Sequence, residues 1–358
     1  MDITTRINLI KEVGEEILTE DDLRALLEAK QKPLAYDGFE PSGRIHIAQG
    51  LMRAINVNKM LKAGCKFMMW VADWHALANN KMGGDIDKIR TTGEYFIEVW
   101  KACGMDTETV KFVWCNDIVS DPAYWMKVLQ VARSATIQRL VRCSQIMGRK
   151  DSDALSGAQL MYPCMQAADM FHMNVDIAQL GMDQRKVNVL ARELGPSLGY
   201  GKVVAVHHHM LMGLLPPAKD AVAESIERSV ALKMSKSVPD ASIFMDDSPE
   251  EIARKIQQAY CPANSAHENP VMEYCKYIIF PRVGALTVKR PLKYGGPLEF
   301  SDFAGLQKAF EKGDVHPMDL KSAVAEEINN LVDPVRRHFE KGKARKLLDQ
   351  VNSFKVTR

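Results

Sequence analysis

Residues 36–50 read YDGFEPSGRIHIAQG. Leu34 to Tyr36 is a short apolar strand, a glycine-bearing turn follows, and helical periodicity begins near His46. Free N–H groups and a partial positive charge at a helix start suit a phosphate. Taken alone, the stretch also fits an ordinary strand–turn–helix in which His46 packs or caps.

The pattern repeats outward. Apolar strands at Cys65–Ala72, Val110–Trp114, Val175–Ala178 and Lys202–Val206 alternate with amphipathic stretches near 47–63, 86–103, 121–148, 160–173 and 183–196. Such alternation, with long crossovers, predicts an α/β fold: a parallel sheet covered by helices on both faces. Ligands of such sheets bind at the carboxyl ends of the strands, where the strand order reverses. Function is therefore expected in loops starting near 37, 73, 115, 178 and 207. Before the first strand, residues 4–30 read as helices with a break near Leu18-Thr19.

The chain has 358 residues, and single cores rarely grow past about 250–300 residues, so two domains are expected. From about 248 helical patterns dominate: Ser248–Tyr260, Ala263–Tyr277, Phe300–Lys312, Met318–His338 and Ala344–Phe354. Ser248-Pro249-Glu250-Glu251 supplies a cap, a first-turn proline and early acids. The division is 1–230, a loop and linker at 231–247, and a smaller helical domain at 248–358. The stretch 213–247 reads as a long loop, and Asp220, Glu224 and Glu227 within it have no evident physical account.

Net charge is only +2, so a nucleic acid would have to meet a local basic face rather than a broad field. The seven cysteines form no CxxC pair and are odd in number, which argues against a zinc site or a disulfide framework. No run of 18 apolar residues occurs, so no membrane span is expected. The start lacks the features of a secretory signal, and Glu12, Glu15 and Glu16 argue against a transit peptide. A cytoplasmic location is the expectation.

Lys233-Met234-Ser235-Lys236-Ser237 closes the long loop. Two lysines three apart, with hydroxyls between them, can hold a polyphosphate through point charges and hydrogen bonds. By itself such a pentamer is usually a solvated surface run. A His-Ile-Ala-Gln after the first strand and a KMSKS after the last one together make a far more specific pair.

With that pair in place, the chain resembles the tyrosyl-tRNA synthetases of archaea and eukaryotes, which are class I aminoacyl-tRNA synthetases, over nearly its whole length. The shared runs are GFEPSGRIH (38–46), AD-x-HA (72–76), YP-x-MQ-x-x-D (162–169), GMDQRK (181–186), KMSKS (233–237), DDSPEEI-x-x-KI-x-x-AYCPA (246–263) and HPMDLK-x-AVAEE (316–327). The resemblance implies a Rossmann-like parallel-sheet catalytic domain followed by a smaller helical anticodon-binding domain. The implied activity joins tyrosine to tRNA(Tyr) through tyrosyl-adenylate, with ATP as substrate, Mg²⁺ carried in with ATP, and no dedicated protein metal site. One departure is that the motif often written His-Ile-Gly-His has Ala48 and Gln49 at its third and fourth places.

Carried over by the same resemblance, Tyr36 and Asp169 clasp the substrate phenol, and Tyr162, Gln166 and Gln184 hold the amino group. Tyr162, Gln166 and Asp169 are four and three apart, so a helix sets them on one face. Asp73 and His75 are expected to line the same cleft. Gly38, His46, Gln49, Lys233, Ser235 and Lys236 are implied at ATP, with His46 and Gln49 on the α-phosphate and the lysines on the leaving pyrophosphate. Arg185 and Lys186 are implied at the tRNA acceptor end, and Tyr294, His316 and Asp319 at the anticodon. The stretch 121–148, with Arg133, Arg139 and Arg142, corresponds to a homodimer interface.

Three rivals remain at this level. A tryptophanyl-tRNA synthetase shares the fold, but an indole offers no hydroxyl to a Tyr36/Asp169 pair. A non-catalytic RNA-binding paralogue would be expected to lose KMSKS or the pocket. A related nucleotidyltransferase would lack the matches at 294 and 316–319.

Overall fold

The computed structural model describes residues 1–147, 154–217, 228, 231–236 and 238–354. Six strands, β1 (Glu16–Leu18), β2 (Leu34–Phe39), β3 (Lys66–Val71), β4 (Lys111–Trp114), β5 (Ile177–Gly181) and β6 (Val204–His208), form one sheet in the order β1-β6-β5-β2-β3-β4. All neighbours are parallel except β1, which runs antiparallel along β6. β5 and β6 are buried at every position, as strands covered on both faces should be. The order reverses at β2 and β5, so their carboxyl ends open the crevice where a ligand fits.

The strands run further along the chain than the sequence predicts. β2 continues to Phe39, and β5 and β6 end at Gly181 and His208. Tyr36 is thus inside its strand rather than at its end. β1 is a correction: residues 4–30 are α1 (Ile3–Lys11) and α2 (Glu20–Ala29) with an edge strand between them. Three residues are too few to show a period of two, and only pairing with β6 makes them a strand. Thr19 caps α2 by accepting from the Asp22 N–H at 3.1 Å, and Glu20, Asp21 and Asp22 in its first turn suit the helix dipole.

The crossovers are α3 (Arg53–Lys62), α4 (Asp73–Ala78), α5 (Ile86–Ala102), α6 (Pro122–Ser134), α7 (Ile137–Cys143), α8 (Gly157–His172) and α9 (Arg185–Ser197). The single helical stretch read at 121–148 is two helices, because Thr136 recaps the chain at the start of α7. Residues 148–153 lie outside the described residues. The helix expected near His46 opens instead with a wide turn, Ala48–Met52, before α3. There Gly50 lies against Met245, where an added Cβ would come within 2.7 Å of its side chain.

The later helices are α10 (Pro249–Gln258), α11 (Pro270–Tyr274), α12 (Phe280–Val283), α13 (Phe303–Lys312), α14 (Pro317–His338) and α15 (Gly342–Ser353). A hairpin of β7 (Leu286–Val288) and β8 (Leu298–Phe300) sits among them. α14 packs on α10, and α15 on α5. One continuous apolar cluster joins Ile10, Val99 and Trp100 of the sheet layer to Ile252, Phe310 and Val332 of the later helices. No helix among the described residues is long and apolar enough to cross a membrane.

Candidate active site and nucleic-acid face

A cavity of about 340 Å³ opens at the carboxyl ends of β2 and β5. Tyr36, Gly38, His46, Gln49, Tyr162, Gln166, Asp169, Gln184 and Lys233 all line it. The residues picked out from strand ends, one helix face and the late loop therefore meet around one space.

At its deep end, Asp169 of α8 is 1% exposed, and the Tyr124 hydroxyl of α6 donates to its Oδ1 at 2.9 Å. His75 Nε2 lies 3.0 Å from Asp169 Oδ2. Burial pushes the His75 pKa down, but the Asp169 carboxylate outweighs it and holds the imidazole above its ordinary value. Tyr36 is equally buried, and its hydroxyl makes no hydrogen bond among the described residues. A buried, unpaired hydroxyl costs about 1–3 kcal/mol, which is the mark of a group awaiting a ligand. Burial, and then the Asp169 and Asp37 charges, disfavour its ionised form, with only the neighbouring Gln166 side chain opposing, so it stays a neutral phenol.

Beside this end, the Gln166 amide donates to Gln184 Oε1 at 3.1 Å, and Gln184 Nε2 lies 3.4 Å from the Ile146 carbonyl. The Tyr162 ring meets His75 edge-on, 5.0 Å between centroids. Asp73 is a correction: it is fully buried away from the cavity lining. It accepts from the Trp74 and Asn116 N–H groups at 3.1 Å each, which makes it a brace for the start of α4.

At the outer end, the backbone of Ile45–Ile47 pairs with Ile243–Met245. The Arg44 guanidinium, over the Phe244 ring, reaches Asp246 and Asp247 at 2.7 and 3.0 Å. These contacts bring the 233–236 loop over the His46 turn. The His46 Nδ1 is buried and unpaired, and burial with Lys236 and Lys233 nearby pushes its pKa well below the ordinary value. It is therefore a neutral imidazole. Lys233 Nζ pairs with Asp183 at 2.7 Å. Lys236 and Ser235 sit outside the cavity lining. Lys236 Nζ contacts the Ser42 carbonyl and hydroxyl at 3.3 Å, and burial, with Lys81 near, lowers its pKa to about 7. Ser237, Asp220, Glu224 and Glu227 lie outside the described residues.

Sequence reasoning missed a buried network in the cavity wall. Arg53 reaches Asp37 at 2.5 Å, Gln179 at 3.0 Å and His208 Nε2 at 2.8 Å. Burial pushes Asp37 up to about 7, with Arg53 opposing. A charged residue inside an apolar strand and another inside an apolar helix were the available signals. Tyr124 was missed as well, since nothing local ties it to Asp169.

Arg185, opening α9, is held by both Glu16 oxygens at 2.9 Å, and Glu16 also meets His207 Nδ1 at 2.8 Å. Lys186 follows it on α9. The anticodon candidates are elsewhere, among the later helices. Tyr294 ends a short turn and is 62% exposed. His316 caps α14, with Nδ1 accepting the Met318 N–H at 3.2 Å, and Asp319 sits in the first turn. Arg290 ties the Tyr294 turn to this cap by donating to the Gly296 and Asp314 carbonyls at 2.8 and 2.6 Å.

The family model for class I tRNA synthetases (W and Y) matches residues 28–333. The cytoplasmic tyrosine–tRNA ligase 1 of Arabidopsis thaliana is 46% identical over 361 residues, covering 100% of this chain and 90% of that protein. A tyrosine–tRNA ligase of Saccharolobus islandicus is 39% identical over 362 residues, with both chains covered in full. The crystal structure of the tyrosyl-tRNA synthetase of Pyrococcus horikoshii complexed with L-tyrosine superposes with a TM-score of 0.90 at 40% identity, covering 99% of this chain and 100% of that one.

Proposed function

The chain belongs to the class I tRNA synthetases of the tryptophan and tyrosine group, and from that premise we infer how its residues work as a tyrosine–tRNA ligase. Tyrosine is activated with ATP, and the tyrosyl group is then passed to tRNA. The observation that carries the amino-acid choice is the unpaired Tyr36 hydroxyl beside Asp169. A substrate phenol donates its O–H to the Asp169 carboxylate and accepts from Tyr36. Phenylalanine would leave the Tyr36 hydroxyl buried and unpaired and deny the Asp169 carboxylate the hydrogen bond from the phenol. Tyr124 and His75 hold the carboxylate in place. Tyr162, Gln166 and Gln184 take the α-amino group, a reading supported by their shared lining of the cavity.

In the first step a tyrosine carboxylate oxygen bonds to the α-phosphorus, the bond from that phosphorus to the bridging oxygen breaks, and pyrophosphate leaves. In the second the terminal ribose hydroxyl of tRNA attacks the tyrosyl carbonyl, and AMP leaves with the acyl bond electrons. Neither step needs a protein nucleophile, so catalysis rests on positioning and charge. Neutral His46 and Gln49 donate to the α-phosphate, Gly38 lines the ATP side of the cavity with no side chain to crowd Trp70, and Lys233 with Lys236 and Ser235 meets the departing pyrophosphate.

Among the described residues, the one group of three potential metal ligands is His75, Cys115 and Asp169. A thiol and an imidazole at the phenol end do not suit Mg²⁺, which prefers oxygen ligands. Mg²⁺ would arrive on ATP, and no step above is routed through it.

On the tRNA side, Arg185 and Lys186 beside the cavity fit the acceptor end, and Tyr294, His316 and Asp319 fit an unpaired anticodon base by stacking and edge contacts. The change from sheet to helices supports a catalytic domain over 1–230, the KMSKS loop and linker at 231–247, and an anticodon-binding domain over 248–358. Trp125, Met126, Leu129 and Ile137 of α6 and α7 are 36%, 59%, 59% and 67% exposed. That apolar patch supports a homodimer through this face. The cytoplasmic Arabidopsis relative and the free cysteines support a cytoplasmic location.

The test is amino-acid-dependent ATP–pyrophosphate exchange with tyrosine, phenylalanine and tryptophan. Exchange with tyrosine alone is expected. Exchange with tryptophan would overturn the phenol pocket, and none with any of the three would leave a non-catalytic paralogue.

A further inference from the structure

His209 follows β6 and lines the catalytic cavity. The same side chain lines a second cleft of about 840 Å³ between the sheet and the later helices. Its Nδ1 lies 3.2 Å from Glu15, in the loop before β1, and its Nε2 lies 3.1 Å from Glu273 of α11. Its ring stacks on Tyr277, with centroids 4.4 Å apart and planes 10° from parallel. Burial opposes a charge there, but the Glu15 and Glu273 carboxylates beside the ring raise the pKa to about 9. At neutral pH it is a cation clamped between two carboxylates from separate parts of the chain.

Glu273 also accepts the Met212 N–H at 2.8 Å. Met212 forms an antiparallel bridge with Lys233. On either side, the Gly213 N–H donates to the Leu232 carbonyl at 2.9 Å and the Met234 N–H to the Leu211 carbonyl at 2.8 Å. Residues 211–213 thus splint residues 232–234, and Glu273 holds the splint from the side of the later helices. A lysine stem is flexible, so the backbone at Lys233 decides where its ammonium can reach.

We propose that Glu273 and His209 are positioning residues for adenylate formation, through which the later helices set the backbone that carries Lys233. The inference rests on Lys233 as a pyrophosphate contact. A displacement of about 1 Å at a reacting group can cost roughly 100-fold in rate, so the splint need shift little to matter. Neither residue touches the reacting atoms in this scheme.

The test uses the full chain with Glu273→Ala, Glu273→Gln, His209→Gln and Lys233→Ala, in tyrosine-dependent pyrophosphate exchange, with tyrosine KM and thermal midpoint measured for each. Glu273→Ala is expected to lose about 10-fold or more in kcat with tyrosine KM unchanged. Glu273→Gln should recover most of that, because its amide oxygen still accepts the Met212 N–H, and His209→Gln should fall between. A lower thermal midpoint with wild-type kcat would overturn the inference. Where Lys233→Ala is slow and Glu273→Ala runs at the wild-type rate, only the positioning role fails; where Lys233→Ala itself is undiminished, the pyrophosphate reading fails. Should Glu273→Ala not fold, His209→Gln decides: a several-fold fall in kcat at constant tyrosine KM supports the role, and an unchanged kcat overturns it.

Discussion

Lys233 Nζ sits 2.7 Å from Asp183 Oδ2, an ion pair between the late loop and the turn that follows β5. The lysine is therefore held at the cavity by a carboxylate, which a polyphosphate would displace under the proposed role. Removing a single donor to developing charge typically costs about 100- to 1,000-fold in rate. Lys233→Ala is expected to slow single-turnover adenylate formation by that order while tyrosine KM stays near wild type. An equal loss in tyrosine binding would count against a contact made mainly in the transition state.

Discrimination against phenylalanine should fall when the phenol's partners are removed. In Tyr36→Phe the buried hydroxyl donor left over is gone, and the penalty for phenylalanine drops by about 1–3 kcal/mol, or roughly 5- to 150-fold in relative kcat/KM. Competitive exchange assays with the two amino acids measure it. An unchanged ratio would place the phenol elsewhere in the cavity.

His209 links stability to pH. Its folded pKa of about 9 lies above the roughly 6.5 expected in the unfolded chain. A raised pKa contributes stability that is fully present below about 6.5 and is lost as pH rises through about 9. The stability of wild type over His209→Gln should fall by roughly 3 kcal/mol between pH 6 and pH 10. Denaturant titrations at the two pH values read the difference directly; a constant gap would refute the charged clamp.

Tyr294 is exposed on a short turn pinned beside the cap of α14. Stacking on an unpaired base is worth about 1–3 kcal/mol. Tyr294→Ala should lower kcat/KM for tRNA by roughly 10- to 100-fold and leave tyrosine-dependent exchange unaltered. A loss in exchange would show that the turn matters to the fold rather than to RNA.

Met126 and Leu129 stand one turn apart on α6, each 59% exposed. Leu129→Glu should shift the chain from dimer to monomer in sedimentation, since a two-fold face places each charge in its own apolar counterpart. A wild-type monomer, or an unshifted variant, would exclude that face as the interface.

What was legible depended on distance along the chain. Tyr162, Gln166 and Asp169 could be placed on one face from spacing alone, and α8 does present all three to the cavity. The cap at Ser248 was equally local. The Tyr124 bond to Asp169 spans 45 residues and the Arg53–Gln179 bond 126; no local pattern encodes either. His75 was placed at the cleft correctly, but its neighbour Asp73 turned inward to brace α4. Two residues apart in the first turn of α4, the two side chains face different ways.

By itself, the sequence determined which residues are chemically able to act and which elements carry them. Strand and helix periods and caps are short-range properties, set by backbone geometry and side-chain type, and the roles of the His46 and Lys233 motifs are what the family resemblance implies. Only the tertiary structure decided how those elements are clamped together: the edge pairing of β1 on β6, the buried Arg53 network, and the line from Glu273 through Met212 to Lys233. The physical reason is that burial and electrostatic pairing depend on distance in space, and the sheet order brings together residues that the chain keeps far apart.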